Sequence, residues 1–330
     1  MGVDASSVHV NLGERSYEIR IVSDGLAELP ALLPSWLDRS QYRARNSRLA
    51  HIVTDRNVRR HADVVRESLI RAGWMCGLSE LEPGEKTKSV NNLSSIWDAL
   101  IASKADRQTV IIAVGGGVIG DLAGFAAASF VRGLPFVQVP TSLLADVDSS
   151  VGGKTGINHP AAKNMLGAFH QPVGVLIDTA MLETLPAREF SAGLAEVVKY
   201  GVILDADFFT FLEQRAESIN RRDPNILRQV VARCCRLKAD VVEKDEFERT
   251  GLRAVLNYGH IRSRLRGTCR LRRTAAWRGG RDRHVVRQPI GRASRLHRRS
   301  NHTSAGRIVE PLWIANSVAS RLATLGGRGD

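Results

Sequence analysis

Thr109-Val110-Ile111-Ile112-Ala113-Val114 runs directly into Gly115-Gly116-Gly117-Val118-Ile119-Gly120-Asp121. The first stretch is a continuous apolar run, the pattern of a strand buried on both faces. The glycines after it turn the chain and open a helix, and they satisfy G-x-G-x-x-G. Glycines let backbone amides approach phosphate oxygens, and a helix N-terminus adds positive potential. No acid appears at the distance usual for a ribose contact, so the turn departs from a standard Rossmann fingerprint. Read alone, these residues are equally compatible with a ligand-free strand-to-helix turn.

Working outward, the same alternation recurs. Tyr17 to Val22, Ala50 to Asp55, Phe136 to Val139 and Val173 to Ile177 read as strands. Helical spacing fills the gaps, as in Val58 to Leu69 and Val90 to Leu100. Strands alternating with helices predict a parallel α/β sheet. From about Pro186 the strand signals stop. Ala187 to Gly201, Asp205 to Leu212 and Asn225 to Val242 read as helices, the last capped by Asp223 before Pro224. The expected division is an α/β unit over 1–185, the start of a helical unit over 186–260, and a third segment over 261–330.

That third segment carries the charge. Residues 261–330 hold 17 arginines, no lysine and three acids, whereas residues 1–260 hold 30 basic and 31 acidic residues. Apolar residues after Ile261 keep neither a strand nor a helix period. Arginine without lysine is the composition of a GC-rich gene read out of frame, which is the expected origin of this tail. The other reading is a basic, disordered tail that binds nucleic acid. The four cysteines (Cys76, Cys234, Cys235, Cys269) form no C-x-x-C pair, and Cys234 and Cys235 are expected to pack inside a helix. No apolar run approaches membrane-spanning length. A cytoplasmic protein without membrane contact is expected.

The chemistry-bearing residues concentrate between Pro83 and His260. Asp148-Ser149-Ser150-Val151-Gly152-Gly153-Lys154-Thr155 is followed by Lys163 and Asn164, packing a carboxylate, hydroxyls, cations and an amide into seventeen residues. Lysines meet phosphate as point charges. Thr141 and Ser142 end the Phe136 strand, where ligands bind in open α/β sheets. Glu85 and Lys88 sit in a polar turn that could face a ribose and a phosphate or simply be solvated. Glu196 and Lys199, at i and i+3, share a helix face, either as a metal ligand beside an anion contact or as a surface ion pair. Leu252 to His260 reads as an apolar helix carrying Arg253, Asn257 and His260.

Five segments together carry a resemblance: GGGVIGDLAGFAAASFVRG (115–133), VPTSLLADVDSSVGGKTGIN (139–158), KNMLGAFHQP (163–172), GLAEVVKYG (193–201) and GLRAVLNYGH (251–260). With them, residues from about 50 to 260 resemble the 3-dehydroquinate synthase family of sugar-phosphate cyclases. The resemblance implies an N-terminal α/β NAD-binding domain and an all-α C-terminal domain. It implies NAD⁺ contacts at Glu85, Lys88, Gly117, Val118, Ile119, Gly120, Asp121, Thr141, Ser142, Lys154, Lys163 and Thr184. It implies a substrate pocket of Arg132, Asp148, Lys154, Asn164, Lys199, Lys238, Arg253 and Asn257. Glu196 and His260 correspond to two of three ligands to Zn²⁺ (or Co²⁺).

The implied reaction is that of a lyase of the shikimate pathway. It converts 3-deoxy-D-arabino-heptulosonate 7-phosphate to 3-dehydroquinate and phosphate, by transient oxidation, elimination, reduction and intramolecular aldol closure. A homodimer is expected. Another sugar-phosphate cyclase, making 2-epi-5-epi-valiolone or 2-deoxy-scyllo-inosose, is the alternative within the superfamily.

The resemblance stops at Gly259-His260-Ile261-Arg262. The family's second active-site histidine, third zinc ligand and distal lysine have no counterpart, so the helical domain is incomplete after residue 260. Two protein ligands under-coordinate zinc, so the chain is expected to hold the metal weakly and to be impaired in activity. The truncated packing is expected to expose apolar surface.

Overall fold

A computed structural model of the chain describes residues 6–40 and 48–258. His260 and the arginine-rich segment 261–330 lie outside the described residues, and so do the expectations placed on them.

Nine strands are present among the described residues: β1 (Ser6–Val10), β2 (Tyr17–Val22), β3 (Leu49–Asp55), β4 (Met75–Leu81), β5 (Val110–Gly115), β6 (Phe136–Pro140), β7 (Lys154–His159), β8 (Ala162–Phe169) and β9 (Gly174–Asp178). Seven form one sheet in the order β1-β2-β9-β6-β5-β3-β4. All its pairs are parallel except β1 with β2 at one edge. β5 lies inside this sheet and is buried along its whole length. Its apolar run has the expected cause: both faces are covered. Ile111 and Ala113 face a cluster with Leu93, Ile96, Leu122 and Ala126. Val110, Ile112 and Val114 face another with Leu33, Trp36, Val65 and Leu69. Helices α1 (Leu29–Arg39) and α2 (Arg59–Arg71) therefore cover one face, and α3 (Val90–Ala102) and α4 (Gly117–Ser129) the other.

After β9 the chain is helical: α5 (Ala187–Leu204), α6 (Ala206–Gln214), α7 (Ala216–Asn220) and α8 (Pro224–Lys244). Pro224 begins α8, and the Asp223 carboxylate accepts the Asn225 and Ile226 N–H groups at 3.0 Å. This cap satisfies two of the orphan donors of the first turn. Cys234 and Cys235 are fully buried in α8. One apolar cluster joins Tyr17, Ile19, Val175 and Ile177 of the sheet to Val197, Tyr200, Val231 and Cys235 of the helices. The helical segment thus seats on the β1–β2–β9 end of the sheet.

Three local expectations need correction. Lys154 to Phe169, where no strand was read, is an antiparallel hairpin of β7 and β8, with an irregular register between Ile157 and His159. β1 and β4 are strands beyond those read from the apolar pattern. Leu252–Asn257 is a 3₁₀ helix rather than an α-helix. Arg253 and Asn257 therefore do not share a face through 3.6-residue spacing.

Candidate active site

β5 ends at the glycine turn, and α4 starts at Gly117 with Gly116 as its N-cap. Among the described residues no side chain caps this helix. Its first N–H groups are therefore available, and the helix dipole adds positive potential there. A Cβ at Gly117 would stand 3.0 Å from Ser149 Oγ, so only glycine leaves that approach open. The Thr141 N–H donates to the Gly115 carbonyl at 3.1 Å. Ser142 Oγ accepts the Ala145 N–H at 3.3 Å. Both hydroxyl residues thus sit where the β6 end meets the glycine turn.

Beyond Ser142, Ala145–Ser149 forms a π-helical turn. It buries Asp146 and Val147 and presents Asp148. Gly152 and Gly153 come next, with φ of +100° and +66°. A Cβ on Gly152 would meet Arg253 Nη2 at 2.6 Å. These glycines let the chain double back under Arg253 and start β7 at Lys154.

The result is a cavity of about 530 Å³, lined among others by Asp121, Asp148, Lys154, Asn164, Lys199, Lys238, Arg253 and Asn257. Seven of the eight substrate residues implied by the resemblance are thereby brought together from six elements of the chain. Four lysines at or beside this cavity each meet a carboxylate. Lys88 Nζ donates to Asp121 Oδ2 and Asn164 Oδ1, both at 2.5 Å. Lys238 Nζ donates to the backbone carbonyl and carboxylate of Asp148. Lys199 Nζ donates to Glu196 and, at 2.7 Å, to the Leu256 carbonyl. Lys154 Nζ donates to Glu248. The cavity is thus a mosaic of paired charges rather than a bare cationic hole.

Glu196 lies behind Lys199, buried, and is not itself among the lining residues. Burial first, and the nearby Asp148 charge second, push its carboxyl upward, against the Lys199 hydrogen bond. Burial likewise raises Asp121 against the pull of Lys88. Arg253 is buried, its pKa lowered by desolvation. Its Nη1 donates to the Glu246 carbonyl at 2.8 Å.

Other expected contacts lie elsewhere. Arg132 is exposed and outside the lining, on a strained turn: Val131, Arg132 and Gly133 all have positive φ. Thr184 is exposed, its hydroxyl donating to the Met181 carbonyl at 3.2 Å. Glu85 and Lys163 are exposed and 3.8 Å apart, with Asn158 Nδ2 donating to Glu85 at 2.8 Å. Val118, Ile119 and Gly120 belong to the first turn of α4.

A metal site is not assembled by the described residues. Among them no group of three or more His, Cys, Asp or Glu side chains is placed to hold an ion. Glu196 is one carboxylate engaged by Lys199, and a tetrahedral protein site needs three or four ligands. His260, the second expected ligand, lies outside the described residues. Glu248 was not legible in the sequence: Asp245-Glu246-Phe247-Glu248-Arg249 reads as a solvated charge run. Only the fold brings Glu248 to Lys154.

The described residues thus combine a doubly covered, mostly parallel sheet, a glycine-opened helix at its carboxyl edge and an adjoining cavity that holds Lys154, Lys199 and Lys238. Two family models match in tandem, 3-dehydroquinate synthase N-terminal over residues 78–192 and 3-dehydroquinate synthase C-terminal over residues 193–264. The 3-dehydroquinate synthase of Pelobacter propionicus is 52% identical over 255 residues, covering 77% of this chain and 69% of that protein. That of Rhodopirellula baltica is 51% identical, covering 77% and 68%.

Among solved structures, a 2-deoxy-scyllo-inosose synthase complexed with carbaglucose-6-phosphate, NAD⁺ and Co²⁺ superposes with a TM-score of 0.67 at 27% identity, covering 77% of this chain and 67% of that one. The 2-epi-5-epi-valiolone synthase of Streptomyces hygroscopicus, with NAD⁺ and Zn²⁺ bound, gives 0.66 at 30%, covering 76% and 67%. The chain belongs to the 3-dehydroquinate synthase family. No described helix is long and apolar enough to cross a membrane.

Proposed function

We propose that the cavity binds 3-deoxy-D-arabino-heptulosonate 7-phosphate beside NAD⁺ and serves its conversion to 3-dehydroquinate and phosphate. The observation that carries this reading is the adjacency of the uncapped α4 N-terminus to a cavity ringed by Lys154, Lys199, Lys238 and Arg253. The free N–H groups at Gly117 and Val118 suit a pyrophosphate. A small molecule bearing both a carboxylate and a phosphate needs several separate cations, which this ring supplies. Asp148 and Asn164 offer acceptors, and Asn164 a donor, for ring hydroxyls.

NAD⁺ and a divalent metal, when bound, supply transient hydride acceptance and polarisation of a hydroxyl oxygen. The chain's own contribution is position and field. Lys154 and Arg253 stabilise charge on the departing phosphate, and Lys199 and Lys238 hold the carboxylate end. Glu196 is the described residue offered to the metal, with His260 as its partner. Arg132, exposed on its turn, Thr184, Glu85 and Lys163 keep their proposed roles only as contacts made outside the cavity lining. The chain is proposed to act as a homodimer in the cytoplasm, with 1–185 and 186–260 as its two units and 261–330 as a tail outside the family pattern.

The test is phosphate release from this substrate with NAD⁺ and Co²⁺ present. The expected result is substrate-dependent release and formation of 3-dehydroquinate, slower than for the Pelobacter propionicus relative. Preferential release from a hexose 6-phosphate would instead assign an inosose-type cyclase. Failure to bind NAD⁺ at all would refute both.

A further inference from the structure

The four lysine–carboxylate pairs are not equivalent. Lys199 and Glu196 keep only 7% and 8% of their side-chain surface exposed, whereas Lys154 and Glu248 keep 52% and 38%. Lys154 begins β7 and Glu248 follows α8, so this pair joins the hairpin to the helical segment, and both residues line the cavity. The turn that carries Glu248 is held in place. Glu248 has φ of +55°, a conformation a glutamate adopts only when its surroundings enforce it. Asp245 enforces it: its carboxylate accepts the N–H groups of Arg249 at 2.8 Å, Thr250 at 3.1 Å and Arg253 at 3.4 Å. The Glu248 carboxylate then stands 3.7 Å from Arg253 Nε, a buried nitrogen that makes no hydrogen bond among the described residues.

One carboxylate thus occupies the gap between an exposed lysine and the free edge of a buried arginine. We propose that Glu248 is a built-in anion that holds Lys154 in the empty cavity and must be displaced by an anionic group of the substrate. The proposal rests on the reading of this cavity as a sugar-phosphate site. Its consequence is selectivity. A dianionic phosphate outcompetes a single carboxylate for Lys154 and Arg253, whereas a neutral polyol cannot, so the pair excludes uncharged sugars. The same carboxylate favours release of product phosphate by reclaiming Lys154. The exchange replaces one anion by another beside a half-exposed lysine, so it needs no unpaired buried cation at any stage.

The experiment is calorimetric titration of the full chain with inorganic phosphate at low ionic strength. Glu248→Gln is expected to bind phosphate about two- to fivefold more tightly than the unmodified chain, the range set by exposed ion pairs. The gain should shrink towards parity near 0.5 M salt, where screening is short-ranged, on the order of a few ångströms. Lys154→Met/Glu248→Gln should lose the gain. Glu248→Asp keeps the charge but draws it back by one methylene, so it should show a smaller gain than Glu248→Gln, which guards against misfolding of one variant. Equal or weaker phosphate binding in both single variants overturns the proposal, as does a gain retained without Lys154. Absence of phosphate binding in every variant overturns the sugar-phosphate reading as well. Binding by the unmodified chain that neither Glu248 variant alters overturns the proposal alone.

Discussion

Lys238 Nζ bonds both the backbone carbonyl and the carboxylate of Asp148, ninety positions earlier in the chain. The pair ties α8 to the π-helical turn. Tyr200 of α5 reaches the same turn through Val147 O at 3.1 Å and Asp148 Oδ1 at 3.4 Å. Cys235 Sγ, one turn before Lys238, approaches the Asp146 carbonyl at 3.3 Å. Cavity geometry and helical packing therefore depend on the same contacts.

Removing this tie should cost stability as well as binding. Lys238→Met removes a charge-assisted bond whose lysine is buried but whose carboxylate is 32% exposed, so the loss should lie near the low end of the range for such bonds, about 1 kcal/mol. The expected outcome is a lowered thermal midpoint. Asp148→Asn/Lys238→Met should recover part of that loss, because no carboxylate is then left without its cation. Scanning calorimetry of the three proteins checks this.

Gly117→Ala tests the dinucleotide cradle. The added methyl comes to 3.0 Å from Ser149 Oγ, tightening the turn at the start of α4. NAD⁺ affinity should fall roughly tenfold, equivalent to ~1.4 kcal/mol. The thermal midpoint of the ligand-free protein should move little, since alanine favours helices over glycine. A titration followed by protein fluorescence reads the first, and a melt reads the second.

Asp146 is a carboxyl group fully buried in the π-helical turn, and neither oxygen finds a hydrogen-bond partner among the described residues. Burial, then the nearby Asp178 charge, push its pKa well above the ordinary carboxylate range. An acid with a raised folded-state pKa is proton-richer folded than unfolded. Its contribution therefore falls as pH rises from the ordinary carboxyl range towards the folded value. Asp146→Asn should stabilise the chain at neutral pH relative to the unmodified protein, because the amide carries no charge that burial penalises. The advantage should vanish near pH 3. Urea midpoints across this range decide it.

His51 has the opposite sense. It is buried in β3, with Nε2 2.8 Å from Ser79 Oγ, and desolvation pushes its pKa from 6.5 down to about 4. The unfolded chain then binds the proton first, so the contribution present above pH 6.5 is lost as pH falls towards 4. The urea midpoint of His51→Gln should depend less on pH than that of the unmodified chain across this window.

The sheet was legible wherever burial on both faces left a continuous apolar run, as in Val110 to Val114 and Val175 to Ile177. It was not legible in β7 and β8: β8 is exposed along nearly its whole length, and the pair carries the polar Lys154, Lys163 and Asn164 in place of an apolar run. Their pairing is fixed by backbone contact: a Cβ on Gly156 would meet the Leu166 carbonyl at 2.6 Å. Local spacing also misjudged Leu252–Asn257. Gly251 in a left-handed conformation and the Asp245 turn before it start a 3₁₀ segment instead. The lysines and Asp148 were readable as a pocket because they cluster in sequence. Glu248 was not, because its role exists only through a turn whose geometry no short-range pattern reports.

The most direct measurement is a crystal structure with NAD⁺ and the substrate, or a carbocyclic phosphonate of it, bound. The account predicts the dinucleotide pyrophosphate on the N–H groups of Gly117 and Val118, with the sugar acid between Asp148, Lys154, Lys199 and Arg253. Substrate density elsewhere, with this cavity left to solvent and the four lysines still paired to their carboxylates, would contradict it.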